Sequence, residues 1–137
     1  MAQNGVFALL VHDRPSPLES LKTDLKNLSV KTWSARSLDE AAKLLDQTHP
    51  ELVFTDTQFA DGTWSEVVSL AERAGAPANV IVVGSHVDIK VYISAMESGA
   101  FDFIVPPLEP ESLAHVVGVA IDNVRRRREA EAVKQVE

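Results

Sequence analysis

Val6-Phe7-Ala8-Leu9-Leu10-Val11, followed by His12-Asp13, and Leu52-Val53-Phe54, with Asp56 just beyond, decide how this chain is read. Both are short, unbroken apolar runs that end in a carboxylate. A strand buried on both faces of a parallel sheet reads as a continuous hydrophobic run. Open α/β sheets bind their ligands outside the carboxyl ends of such strands. Two aspartates brought to one sheet edge make a pocket of hard oxygens, suited to Mg²⁺ and to nucleophilic attack on phosphorus. A single Asp would more simply cap a turn or a helix. The pair is what points to chemistry.

Outward from these runs, strand-like and helix-like segments alternate. After the first strand, Ser16-Pro17-Leu18-Glu19 reads as a capping box, followed by Leu18, Leu21, Leu25 and Leu28 at helical spacing. Ser29–Trp33 is a more polar strand for a sheet edge. Ser37-Leu38-Asp39-Glu40 opens a second helix with Leu38, Ala41, Ala42 and Leu45 inward. Glu51–Phe54 is the third strand, Asp61-Gly62 a turn, and Thr63-Trp64-Ser65-Glu66 a third capping box for a helix ending at Gly75. Val80–Val83 is the fourth strand, and a helix from about Asp88 carries Ile89, Ile93 and Met96 to Gly99. Phe101–Val105 is the fifth strand, closed by Pro106-Pro107. Pro110 starts a last helix with Leu113, Val116, Val117, Ala120, Ile121 and Val124 on one stripe. This alternation predicts an α/β fold, a doubly wound five-stranded parallel sheet with helices on both faces.

Composition narrows the functional classes. The 137 residues hold no cysteine, which excludes disulfides and thiolate metal sites among them. A net charge of −7 argues against a general nucleic-acid binder. No apolar run approaches the roughly 20 residues of a membrane span, and Met-Ala-Gln-Asn-Gly lacks the basic and apolar parts of a signal peptide. The expected place is the cytoplasm. No glycine-rich phosphate loop follows the first strand and no nucleophile elbow is present, which disfavours a nucleotide-binding enzyme or hydrolase.

His12-Asp13, the stretch Asp56-Thr57-Gln58-Phe59-Ala60-Asp61-Gly62, and Ser98-Gly99-Ala100-Phe101-Asp102-Phe103 together resemble the response-regulator receiver domain of two-component signalling, across residues 4–125. The resemblance implies a CheY-like, flavodoxin-like (βα)₅ fold of strand order 2-1-3-4-5. It also implies a signalling domain, not an enzyme, that takes a phosphoryl group from a sensor histidine kinase or phosphotransfer protein. By position Asp56 is the phosphoacceptor. Asp13, Asp56 and the backbone carbonyl of Gln58 are the Mg²⁺ ligands, and Phe103 stands at the aromatic switch position. Residues 126–137 are expected to form a helical extension. Nucleic acid would be reached only through an output domain beyond it.

The departures from the family pattern are specific. His12 replaces the first of two acids, Gly84 replaces a Thr or Ser whose hydroxyl meets the phosphoryl group, and Pro106 replaces the pairing Lys. Ser85 is no automatic substitute, because neighbours on a strand point to opposite faces. Losing one preorganised donor costs on the order of 10²–10³ in rate, and with one acid fewer Mg²⁺ is expected to bind weakly. The alternative is a pseudo-receiver, the same fold used as a phosphorylation-independent interaction module.

The remaining signals are blander. His12 reads as a hydrogen-bonded residue at a strand end, His86 as a pocket-rim residue, and His49 and His115 as solvated. Arg125–Arg128 reads as a solvated charge run at a helix C-terminus. By the resemblance, a homodimer would use the fourth helix, fifth strand and fifth helix, with Tyr92, Met96 and Val117 as contacts and Arg125–Arg128 at the rim.

Overall fold

The computed structural model describes residues 5–136. In chain order the elements are β1 (Phe7–Val11), α1 (Glu19–Asn27), β2 (Lys31–Ala35), α2 (Leu38–Thr48), β3 (Leu52–Asp56), β4 (Gln58–Phe59), β5 (Gly62–Thr63), α3 (Trp64–Glu72), β6 (Asn79–Val83), α4 (Ile89–Ser98), β7 (Asp102–Ile104) and α5 (Pro110–Val136). Five parallel strands form one sheet in the order β2-β1-β3-β6-β7. Counting only these five, the order is the expected 2-1-3-4-5. The two short strands β4 and β5 form a separate antiparallel hairpin directly after β3.

Alternation along the strands builds two cores. Ala8 and Leu10 of β1, Leu52 and Phe54 of β3, and Ile81 and Val83 of β6 face α1 and α5. They pack with Leu18, Leu21, Leu25, Leu113, Val117 and Ile121. Leu9, Val11, Val53, Val80 and Val82 face the other way, against Ala41, Leu45, Val67, Val68 and Ala95. Every residue of β3 and β6 is buried, which is why those runs carry no polar alternation. Leu21 and Leu25 are fully buried, each worth about 1.5–3 kcal/mol of transfer free energy.

Several local expectations shift. β2 begins two residues later than the apolar pattern suggests, because Ser29 takes a left-handed turn at φ 62° and the Val30 N–H closes onto the Leu25 carbonyl. Of the three capping boxes only the second caps through its Ser or Thr side chain. Ser37 Oγ accepts from the Glu40 N–H at 3.1 Å, while Glu40 reaches back to the Arg36 N–H at 3.2 Å. The first fails because α1 starts only at Glu19, with Leu18 as its N-cap. Thr63 is the N-cap of α3 but makes no side-chain cap, and its backbone pairs with Gln58 in the hairpin.

The structure revises two surface readings, the contact role of Val117 and the solvation of the arginine run. Val117 is 1% exposed and sits in the core beneath α5, so it is not a contact residue. Ile89, Ile93 and Met96 on α4 point outward with Tyr92, and Ala95 is the buried residue of that helix. Nor is the arginine run wholly solvated or at a helix end, since α5 continues to Val136. Arg127 Nη1 donates to Asn79 Oδ1 at 2.6 Å, and Arg128 donates to the carbonyls of His49, Pro50 and Pro77. These contacts tie α5 to the amino end of the sheet, opposite the aspartates.

Candidate functional site

Asp13 and Asp56 come to the same carboxyl edge, just past neighbouring strands β1 and β3. This is where the chain reverses its winding direction, the usual crevice of doubly wound sheets. Asp56 is the last residue of β3, paired in register with Val83, and its side chain is 1% exposed. Its Oδ1 accepts the Thr57 N–H at 2.7 Å, which fixes the rotamer of the carboxylate.

The β1–α1 loop brings an unforeseen group to this carboxylate. Arg14 Nε donates to Asp56 Oδ2 at 3.0 Å and Nη2 to Oδ1 at 3.4 Å, a two-pronged guanidinium–carboxylate contact. The hydrogen bond and charge of Asp56, with a smaller contribution from the charge of Asp13, raise the Arg14 pKa above its ordinary value. The Arg14 side chain is 56% exposed, so water screens the pair, and its net worth is about 1 kcal/mol or less. The loop itself is firmly held. His12 is buried, its N–H extends the pairing with β2 by donating to Ala35 O at 3.0 Å, and its Nδ1 lies 2.7 Å from the Arg14 carbonyl. A carbonyl can only accept, so Nδ1 carries the proton. The reading of His12 as a hydrogen-bonded strand-end residue matches this geometry.

Asp13 faces the hairpin. Its Oδ2 accepts the Ala60 N–H at the β4–β5 turn. The next residue, Asp61, accepts the Leu38 N–H at 3.0 and 3.1 Å and so holds the hairpin to the start of α2. Gly62 permits that approach, since a Cβ there would lie 2.5 Å from Leu38 Cδ1. Gln58, in β4, is exposed.

The other side of the crevice sets an aromatic ring against Gly84, with Ser85, His86 and Asp88 at its rim. Gly84 follows β6, and a Cβ added to it would lie 2.7 Å from Phe103 Cζ and 3.2 Å from Cε2. The half-buried Phe103 ring therefore occupies the space a side chain at position 84 would need, and it meets Tyr92 edge-on at 6.4 Å between centroids. Ser85 and His86 are exposed on the loop beyond, Pro106 is half-buried, and the Pro106–Pro107 peptide is cis. Arg14 stands between two small clefts. One is lined by His12, Asp13, Pro15 and Arg36, the other by Thr57, Gly84, Ser85, His86 and Phe103. A larger groove lies elsewhere, between α1 and the edge strand β2.

For a divalent ion the donor chemistry is suitable, since Asp13, Asp56 and the Gln58 carbonyl all present oxygen. Arg14 already engages both Asp56 oxygens, however, and among the described residues no cluster of three or more His, Cys, Asp or Glu could hold a metal. Sequence reasoning missed Arg14. The available signal was a cation placed immediately after the strand-end Asp13, in a loop the fold must send over the crevice.

A family model, Response regulator receiver domain, matches residues 8–118. The response regulator protein PilR of Pseudomonas aeruginosa is 30% identical over 83% of this chain, and the nitrogen assimilation regulatory protein NtrX of Azorhizobium caulinodans is 26% identical over 93%. The chain spans only 26% and 29% of those proteins' lengths. Among solved structures, the receiver domain of a LuxO repressor protein from Vibrio parahaemolyticus superposes with a TM-score of 0.78 at 20% identity, covering 92% of this chain and 97% of that one. The beryllofluoride-activated NtrC4 receiver domain dimer gives 0.75 at 22% identity, covering 86% and 98%. With a matching family model over most of its length and the expected strand order around Asp13 and Asp56, the chain belongs to the response regulator receiver domain family.

Proposed function

We propose that Asp56 is the phosphoacceptor of this receiver. The observation that carries the reading is its buried carboxylate, at the end of a central strand, held by the Thr57 N–H and covered by the half-exposed Arg14. An Asp56 oxygen attacks the phosphorus of a phosphohistidine on a kinase or phosphotransfer protein. The O–P bond forms, the P–N bond breaks, and its electron pair leaves with the donor imidazole. Mg²⁺ would be held weakly by Asp13, Asp56 and the Gln58 carbonyl, and when bound it neutralises charge on the phosphoryl group. Thr57 orients the nucleophile, and Asp13 holds the loop against the hairpin.

The rest of the functional reading follows from family and surface. Residues 4–125 are the receiver and 126–137 the helical extension, which would lead to an output segment of the kind such regulators use. The cytoplasm is the fitting compartment, and no described helix is long and apolar enough to cross a membrane. Val87, Ile89, Tyr92, Ile93 and Met96 form an exposed apolar strip along α4. That strip favours self-association through α4, β7 and α5, with the exposed Arg125 and Arg126 at its rim. The pseudo-receiver alternative rested on two missing groups, the cation at Pro106 and the hydroxyl at Gly84; Arg14 supplies a cation at Asp56, and the position of the hydroxyl stays filled by Phe103 packing on Gly84.

The test is incubation with acetyl phosphate and Mg²⁺, followed by intact mass. A gain of one phosphoryl group that Asp56→Asn abolishes supports the reading. Modification that persists in Asp56→Asn overturns it.

A further inference from the structure

The family's cation position at the end of β7 is Pro106 here, yet a cation sits on the phosphoacceptor carboxylate from the opposite direction. Arg14 arrives from the β1–α1 loop, 42 positions before Asp56, with both prongs on Asp56. Its backbone is fixed by His12 while more than half of its side chain is in water. The loop that carries Arg14 is anchored at its backbone, and the guanidinium has water on one side and Asp56 on the other. The same side chain covers the buried Asp56 and lines the two small clefts on either side of it, one with Asp13 and one with Thr57, Gly84 and Phe103, where the usual hydroxyl is absent.

We propose that Arg14 is the resident cation of this site. At rest it occupies the Asp56 carboxylate and competes with divalent ions for it. Once a phosphoryl group is on Asp56, the guanidinium shifts to the phosphoryl oxygens and does there what a lysine from β7 would do. The planar fork suits this exchange, because carboxylate and phosphoryl oxygens present similar spacing to paired N–H donors. Transfer from a small donor balances simply: the Asp56 O–P bond forms, the P–O bond of acetyl phosphate breaks, and acetate leaves with the electron pair. The transfer role rests on Asp56 being the phosphoacceptor; the resting role does not.

The experiment compares wild type with Arg14→Ala, Arg14→Lys, Arg14→Ala/Pro106→Lys and Asp56→Asn. Mg²⁺ affinity is read by NMR shift titration, and modification by acetyl phosphate is read by intact mass. Arg14→Ala should bind Mg²⁺ about tenfold more tightly, as expected when one charge-assisted competitor is removed. It should also be modified slower by on the order of 10². Arg14→Lys should fall between, keeping the charge but losing the fork, and Pro106→Lys should restore most of the rate lost in Arg14→Ala. The NMR spectra also report whether each variant is folded, and the exposed Arg14→Lys change keeps the test open if Arg14→Ala is not. Mg²⁺ affinity unchanged in both Arg14 variants overturns the resting role. A rate unchanged in Arg14→Ala, with wild type modified at Asp56, overturns the transfer role alone. Wild type left unmodified overturns the phosphoacceptor reading and the transfer role together, and the titration then decides the resting role by itself.

Discussion

The two sides of the crevice are built from different physics. On the β1–β3 side, His12, Asp13, Arg14, Asp56 and Thr57 form a chain of charged and hydrogen-bonded contacts that runs on to the hairpin through Ala60. On the β6–β7 side, Gly84, Phe103 and Tyr92 meet by shape alone. A receiver pocket normally asks the second side for a hydroxyl and an ammonium. Here the polar work is concentrated on the first side, and the second has become packing. The difference teaches that an active edge can lose a cation at one strand end and regain one from a loop at another, because both ends face the same crevice.

The largest expected effect comes from reinstating a side chain on the packed side. Gly84→Thr should lower stability by about 1–3 kcal/mol in urea unfolding, since Phe103 must leave its place to admit the new atoms. It should also raise the accessibility of Phe103 and break its edge contact with Tyr92, seen as shifts of both aromatic ring signals. An unchanged midpoint with unmoved aromatic signals would break the contrast between the sides. Next is His12→Ala, which removes the donor to the Arg14 carbonyl and should cost about 1 kcal/mol. Its diagnostic readout is a looser β1–α1 loop in amide hydrogen exchange, while β6 and β7 stay protected. Equal loosening on both sides would show that they are not independent. Smaller still, Pro106→Lys in an otherwise natural chain should change the rate of modification by acetyl phosphate less than about tenfold, because Arg14 already supplies the cation. A rise of 10² or more would mean that the packed side still lacks something the polar side does not provide. The smallest stability effect is expected on α4, where Ile93→Glu should shift unfolding by less than about 0.5 kcal/mol at so exposed a position. Any self-association seen by light scattering should nevertheless weaken.

The legible part of the molecule is the part coded by neighbours in sequence. Strand runs, helix stripes and glycine stops are local patterns, so the five strands of the parallel sheet, the leucine face of α1 and the buried stripe of α5 were readable, as was the delivery of Asp13 and Asp56 to one edge, while the β4–β5 hairpin was read only as a turn. Helix starts were less so: three Ser or Thr boxes look alike, but only Ser37 caps through its side chain, while α1 starts past Ser16 with Leu18 as its N-cap and Thr63 caps α3 without a side-chain bond. The apolar residues of α4 left one point open. Periodicity marks a face without saying whether the core or the solvent lies beneath it, and in α4 the sheet is met by Ala95.

By itself, the sequence determined the alternation of buried strands and covering helices, and hence two carboxylates at the ends of adjacent parallel strands, because hydrophobic period and strand direction are properties of short segments. Only the tertiary structure decided what those carboxylates touch. Arg14 finds Asp56 across 42 positions, Phe103 fills the space above Gly84, and Arg128 reaches carbonyls 78 and 79 positions back. Such contacts depend on where a loop is carried by the elements around it. A long, flexible cation has many possible partners along the chain, and packing selects the few within its reach.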